Sequence, residues 1–192
     1  MHFEGKLSFC DNCDEMKEEL IKRNELWVNS KRDWMDFNNS MDTIIITCID
    51  SRVPVEKIFN LNPGEVLIIR NAGNIITEDV FRSVLAGIIE IHAKNIIVMG
   101  HTRCGMSIKD NKSKVNELFK HAPPKLIEYL NLKDIEEIIQ WFGFFDAGKW
   151  NENAKRQAEL LRHKLNEIFD KKNVPKVFDA IYDLDTGKVK FI

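Results

Sequence analysis

Apolar residues run in unbroken rather than alternating stretches at three places in the first half of the chain. These are Thr43 to Thr47 (TIIIT), Glu65 to Arg70 (EVLIIR) and Asn95 to Met99 (NIIVM). Short β-branched runs of this kind predict strands buried on both faces, the pattern of a parallel sheet. Between the first two, Pro54 suits the first turn of a short helix ending near Phe59, and Asn62-Pro63-Gly64 makes a turn. Between the second and third the period changes to helical: Val80, Phe81, Val84, Leu85, Ile88 and Ile89 share one face. Thr77 is placed to cap that helix, with Glu78 and Asp79 at its positive end.

The second half is less regular. Pro123-Pro124 breaks the stretch from Ile108 to Trp150, with helices expected on either side. From Ala154 a charged amphipathic helix carries Ala158, Leu161, Leu165 and Ile168 as its apolar stripe, and Val174-Pro175 ends it. Val177 to Leu184 reads as a fourth strand, Asp185-Thr186-Gly187 as a turn, and Lys188 to Ile192 as a short edge strand. At the other end, Asp14 to Arg23 predicts a short helix with Met16, Leu20 and Ile21 at helical spacing. Trp27, Val28, Trp34 and Phe37 follow and need an apolar surface, on the main body or on another subunit. Alternating strands and helices with apolar strands predict an α/β fold, a central, mostly parallel β-sheet flanked by helices. Residues 1–40 form an N-terminal helical arm, and the whole of 1–192 reads as one domain with a short C-terminal edge strand.

Composition narrows the function classes. With 44% hydrophobic and 30% charged residues in 192, the chain resembles an ordinary globular protein. A net charge of -2 and a pI near 6.2 give no electrostatic reason to expect nucleic acid as a partner. No apolar run approaches the ~20 residues that cross a bilayer, and the N-terminus lacks the pattern of a secretory signal. The expected location is the cytoplasm, where the four cysteines stay reduced and serve as metal ligands, reactive thiols or small core residues.

Two clusters carry chemistry, each just past the C-terminal end of a predicted parallel strand, where open α/β sheets bind ligands. One is Cys48-Ile49-Asp50-Ser51-Arg52, the other His101-Thr102-Arg103-Cys104-Gly105. If their strands are neighbours, two thiols and an imidazole converge. That donor set suits zinc, and three protein ligands on a tetrahedral ion leave one position open, as catalytic sites do. Zinc so held lowers the pKa of bound water to roughly 7; two thiolates donate more charge than imidazoles, so the expected value here is higher. Arg52 can hold the Asp50 carboxylate through two parallel hydrogen bonds, keeping it ionised and able to accept a proton. Two arrangements stay open: Asp50 held by Arg52, or Asp50 closing the fourth metal position.

At this point the sequence resembles the β-class carbonic anhydrases. The resemblance rests on CIDSRV at Cys48 to Val53, RNAGN at Arg70 to Asn74 and HTRCG at His101 to Gly105, a span of about a third of the chain. It implies reversible hydration of carbon dioxide to bicarbonate and a proton. It assigns one zinc ion per subunit to Cys48, His101 and Cys104, and a catalytic carboxylate–guanidinium pair to Asp50 and Arg52. Asn71, Ala72, Gly73 and Gly105 would line the substrate pocket. The resemblance further implies a homodimer or higher homo-oligomer whose N-terminal arm packs on the partner. Relatives with the same zinc motif hydrolyse carbon disulfide or carbonyl sulfide, and Trp141-Phe142-Gly143-Phe144-Phe145 is similar to an aromatic segment of that branch. The same segment also suits a buried helix or an oligomer contact, the reading favoured here. A third reading is a non-catalytic zinc-binding protein with its fourth position closed; a proton-accepting Asp50–Arg52 pair argues against it.

Cys10 and Cys13 form a C-x-x-C outside these motifs and read as two reduced thiols, with a second metal or a redox pair as alternatives. Of His2, His92, His121 and His163, which titrate near neutrality, His92 reads as packed and His163 as solvated. None is assigned a proton-shuttle role.

Overall fold

The computed structural model describes residues 13–29, 41–110, 113, 115–117, 120, 122–123 and 125–192. Helix α1 (Cys13–Asn29) is followed by strand β1 (Thr43–Cys48), the short helix α2 (Val55–Ile58) and strand β2 (Leu67–Asn71). A 3-10 turn (Ala72–Asn74) leads to helix α3 (Glu78–Ile91) and strand β3 (Asn95–His101). Beyond it come β4 (Ser107–Ile108), α4 (Leu126–Leu130), α5 (Ile135–Phe142), β5 (Phe145–Asp146), α6 (Trp150–Ile168), β6 (Lys176–Tyr182) and β7 (Val189–Phe191).

The main sheet has the order β2-β1-β3-β6-β7. All neighbours are parallel except β7, which runs antiparallel to β6. Every residue of β1 is buried, as its TIIITC sequence demands of a strand flanked on both sides and covered on both faces. On one face Ile44, Ile46, Ile96 and Val98 pack with Val80 and Val84 of α3 and Ala158, Leu161 and Leu165 of α6. On the other, Ile45, Met99 and Ala180 pack with Val53, Val55, Phe59 and Leu61. Each such aliphatic side chain removed from water contributes roughly 1.5–3 kcal/mol, so the two layers fix where β1 and β3 end.

The chain leaves β1 toward β2 on one side, then crosses back over β1 to β3 on the other. The crevice at the carboxyl ends of β1 and β3 is therefore the switch point at which such sheets hold ligands. Thr77 caps α3, its hydroxyl accepting from Val80 N at 3.3 Å, and the helix stops at His92 in a left-handed conformation, φ 57°.

The expected fold class stands; several details differ. Helix α1 runs to Asn29 rather than Arg23, and Met16, Leu20, Ile21, Trp27 and Val28 are exposed in the single chain. Trp34, Phe37 and Cys10 fall outside the described residues, as do His2, His121 and the Cys13 side chain. Strand β2 begins at Leu67 because Glu65 is used in the preceding turn, accepting from Asn62 N at 2.7 Å. Strands β1 and β3 extend through Cys48 and His101, so both residues end strands instead of opening loops. His92 is exposed, not packed, because it lies past the last turn of α3. Ile168 is exposed, at the end of α6 beyond the buried stripe. The small parallel sheet β4–β5 joins the start of the irregular 108–150 stretch to its later part, where the sequence pattern predicts only helices. No described helix is long and apolar enough to cross a membrane.

Candidate metal centre

Cys48 is the last residue of β1 and His101 the last of β3, adjacent parallel strands paired through Thr47 opposite Met99. Three residues on, a turn with Arg103 in the left-handed region (φ 55°) brings Cys104 back beneath them. The ligand atoms of Cys48, His101 and Cys104 all lie within 4.8 Å of one another, and all three residues are buried. The two sulfurs are 3.9 Å apart. Two thiolates each about 2.3 Å from a tetrahedral zinc ion stand about 3.8 Å apart, so the two sulfurs already have the separation that such an ion requires.

His101 is oriented for the same task. Its Nδ1 lies 2.9 Å from the Thr102 carbonyl oxygen and donates to it, which leaves Nε2 as the lone-pair nitrogen. That Nε2 is buried with no hydrogen-bond partner, in a side chain only 1% exposed. A buried polar atom without a partner carries a penalty of about 1–3 kcal/mol, and a metal ion between it and the sulfurs removes it. The donor set, the spacing and the orphaned nitrogen all fit zinc.

One of the two thiols, Cys48, is already biased toward the ligating form. The Cys104 thiol, hydrogen-bonded to the Cys48 sulfur, and the backbone N–H of Gly73 bring the Cys48 pKa well below the ordinary thiol range against the opposing effect of burial. Cys104, as the donor of that bond and itself buried, is pushed above the ordinary thiol range. The two sulfurs share one proton between them, and a metal held by both would take the place of that proton.

Beside the triad, Asp50 sits in the fork of Arg52. Arg52 Nε donates to Oδ1 at 2.9 Å, Nη2 to Oδ2 at 2.6 Å, and the Arg52 backbone N–H to Oδ1 at 2.9 Å. These bonds, Arg52's side chain first, hold the Asp50 pKa at about 2 despite partial burial. Arg52 is in turn fixed by the Arg103 carbonyl at 3.2 Å, and Arg103 by an ion pair with Asp185 at 2.7 Å. Arg70 bridges the other side, donating to the carbonyls of Cys48 and Asp50 at 3.2 and 2.8 Å. Of the two arrangements the sequence leaves open, this one has the carboxylate held by the guanidinium, 3.8 Å from His101 Nε2.

The loop after β2 supplies the remaining wall. Gly73 N–H points at the Cys48 sulfur, 3.4 Å away. Gly73 has φ 77°, a conformation strained for any side chain, and a Cβ there would press on Met106 at 3.3 Å. Asn71 works from within the loop, its amide bonding both N–H and carbonyl of Ile75 at 3.0 and 2.6 Å, so its polar group is spent on the turn itself. Ala72 is half-buried in the turn. Gly105 is exposed, and a Cβ added to it would meet nothing within 4 Å, so no close packing explains this glycine. The aromatic segment divides: Trp141 and Phe142 end α5, Gly143 caps it, Phe144 is buried and Phe145 enters β5. It reaches the site loop through Gly143, which packs on Ile75, and through Phe145 N–H donating to Met106 O at 3.1 Å.

Two residues escape a reading of the sequence. Asn153 and Gln157 of α6 are buried polar groups that bond the same loop, at Gly73 O (3.1 Å) and Ile76 N (2.8 Å). The available signal is their spacing: both fall on the stripe of Ala154, Ala158, Leu161 and Leu165.

The family model described as "Carbonic anhydrase" matches residues 43–189. A carbon disulfide hydrolase of Saccharolobus solfataricus is 34% identical over 189 residues, covering 92% of this chain and 88% of its own. Among solved structures, a carbonic anhydrase from Streptococcus mutans superposes with TM-score 0.70 at 25% identity, covering 92% of this chain and 96% of that one. A β-carbonic anhydrase from Trichomonas vaginalis gives TM-score 0.72 at 25% identity, with the same coverage. With the triad, the Asp50–Arg52 pair and the sheet order in place, this chain belongs to the β-carbonic anhydrase family.

Proposed function

We propose that the protein is a zinc enzyme that catalyses reversible hydration of carbon dioxide to bicarbonate and a proton, with zinc held by Cys48, His101 and Cys104. The observation that carries this reading is the orphaned His101 Nε2 facing two sulfurs 3.9 Å apart, with an ionised carboxylate 3.8 Å away. Zinc, once bound, supplies an electrophilic centre at which water ionises near neutral pH. The protein's part is to aim that reactivity. Asp50, kept anionic by Arg52, has only acceptor oxygens, so any hydroxyl beside it must point its hydrogen at Asp50 and its lone pair elsewhere. Oδ2 is the atom that takes this hydrogen bond and, as general base, the proton. Arg52 and Arg70 fix the Cys48–Arg52 turn so that Asp50 does not swing onto the metal. The Gly73 N–H steadies the Cys48 thiolate, and the Thr102 carbonyl keeps His101 in the ligating tautomer. The site residues thus divide into ligands, an acceptor and its holder, and a close-packed loop wall.

Hydrolysis of carbon disulfide is the second reading, favoured by the 34% identity to the Saccharolobus solfataricus enzyme of that name. Both substrates are linear heterocumulenes open to the same attack. Stopped-flow assay of carbon dioxide hydration, run beside hydrogen sulfide release from carbon disulfide and carbonyl sulfide, separates them. Rapid hydration is expected. Sulfide release without hydration would replace the first reading by the second.

The reading places the protein in a reducing compartment, the cytoplasm, because Cys48 and Cys104 are free thiols close enough to be lost to oxidation elsewhere. It also takes the working unit to be a homodimer or larger.

A further inference from the structure

Three elements meet at the Gly73 loop, and one of them has no place in the chemistry above. Helix α6 is amphipathic, and its buried stripe carries Ala154, Ala158, Leu161 and Leu165. In the same stripe, one turn apart, stand Asn153 and Gln157, 3% and 6% exposed. Buried amides on an apolar stripe are retained where they satisfy something that an alkyl chain cannot. Here they bond the backbone of residues 73 to 76. Asn153 Nδ2 donates to Gly73 O at 3.1 Å and Gln157 Oε1 accepts from Ile76 N at 2.8 Å.

Gly73 is shared between the two systems. Its carbonyl is held by Asn153 while its N–H points at the Cys48 sulfur. Gly73 has φ 77° and ψ 11°, one of several conformations open to a glycine. A bond on its carbonyl restricts that freedom and favours the conformation in which its N–H reaches the sulfur. The Asn153 amide is itself fixed: Arg156 Nη2 donates to Oδ1 at 3.1 Å, so the opposite end of the amide, the donor, faces Gly73. A line of bonds runs from the exposed Arg156 through Asn153 and Gly73 to a metal-ligand sulfur.

We propose that Asn153 is a positioning residue for the metal centre, holding the Gly73 carbonyl so that the Gly73 N–H stays aimed at the Cys48 sulfur. The inference rests on the zinc site of the proposed function. A hydrogen bond to a thiolate draws off part of the charge it donates to a metal; without the bond, Cys48 donates more. Arg156 acts at one remove, through the orientation of the Asn153 amide.

Cobalt-substituted protein tests this, because sulfur-to-cobalt charge transfer reports the donating strength of the thiolates. Asn153→Asp keeps the size of the side chain and an acceptor for Arg156 but cannot donate to Gly73 O. It should bind one cobalt, move the charge-transfer band to longer wavelength and lower kcat/KM by about threefold to tenfold, the scale of one hydrogen bond. Arg156→Met, at an exposed position where folding is not at stake, should move the band the same way by less. Leu161→Ala, on the same stripe, should lower the melting temperature with the band unmoved. An unshifted band in both Asn153→Asp and Arg156→Met, beside a normal wild-type spectrum, overturns the positioning role and leaves the zinc site standing. An equal shift in Leu161→Ala also overturns it, by showing that the band follows general loosening. Wild-type protein that binds no cobalt takes down both this inference and the metal site.

Discussion

Asp50 Oδ2 stands 2.6 Å from Arg52 Nη2 and 3.8 Å from His101 Nε2, so one carboxylate oxygen faces both the guanidinium and the metal position. The proposed function takes that carboxylate as an acceptor held off the metal by Arg52. Asp50→Asn should therefore keep one zinc per chain while losing about 10²–10⁴-fold in kcat, the usual scale of a general base. Elemental analysis beside stopped-flow hydration checks both halves. Full turnover from this variant removes Asp50 from the mechanism.

The same ion pair makes a pH signature. Asp50 has a pKa of about 2 when folded against roughly 3.9 unfolded. A depressed carboxylate stabilises the fold fully above its unfolded value, and that contribution disappears as pH falls through the folded value. The difference in urea midpoint between wild type and Asp50→Asn, measured with chelator so that metal release plays no part, should be constant above about pH 5 and close between roughly pH 4 and pH 2. Arg52 is half exposed, so solvent screening keeps the difference small. A gap that closes above pH 5 would show that Arg52 does not hold the carboxylate in solution.

Removal of one sulfur should empty the site. Cys104→Ser replaces a soft thiolate by a poor zinc ligand, and dialysed protein should fall from one zinc per chain to almost none. Chelation of wild type should lower its melting temperature toward that of the variant, since a ligand bound only by the native state stabilises it. Stoichiometric zinc retained by Cys104→Ser would mean that the metal sits elsewhere.

The centre is legible in the sequence because each cluster directly follows an apolar strand run, and the neighbour relation of β1 and β3 completes it. Cys48, His101 and Cys104 converge as that logic requires, although Cys48 and His101 are the last residues of their strands and not the first of the loops. What is not legible depends on long-range packing. Two-residue strands such as β4 and β5 have no periodicity to detect. The role of Asn153 and Gln157 emerges only when α6 is laid against a loop 80 residues earlier in the chain. Asn71 has the motif position of a pocket residue, yet its amide is spent on Ile75, a choice set by the tightness of the turn. The apolar spacing is no guide near Arg23 or at Ile168, because there it continues onto exposed faces.

Gly143 and Ile75 make the contact through which the aromatic segment supports the site loop. Gly143 has φ 71°, and a Cβ there would lie 2.7 and 2.9 Å from Ile75 side-chain carbons. Gly143→Ala should therefore destabilise by about 2 kcal/mol or more, from left-handed strain and overpacking together. Activity should fall as well, since Ile75 is tied to Asn71 and cannot move alone. Ile75→Val, which removes the nearer of those carbons, should recover part of the loss in the double variant. Purely additive effects in that cycle would show that the two residues do not press on one another.

Phe178 and Phe191 meet edge to face at 6.3 Å on the sheet surface and, with Ile97, Thr43 and Asn95, line an apolar recess of 420 Å³. Both rings are exposed, and so are Leu20, Ile21 and Val28 of α1. Two exposed apolar surfaces on one chain are what a self-associating protein presents. Light scattering on the purified protein should give a dimer or larger, and Leu20→Glu or Phe191→Glu should shift it toward the 22.4 kDa monomer. Where the association supports the site, as the family resemblance implies, the same variants should lose activity in proportion to the dimer lost, with activity recovering at higher protein concentration. A wild-type monomer with full activity at micromolar concentration would leave those surfaces without a role in catalysis and rule out the homo-oligomer as the working unit.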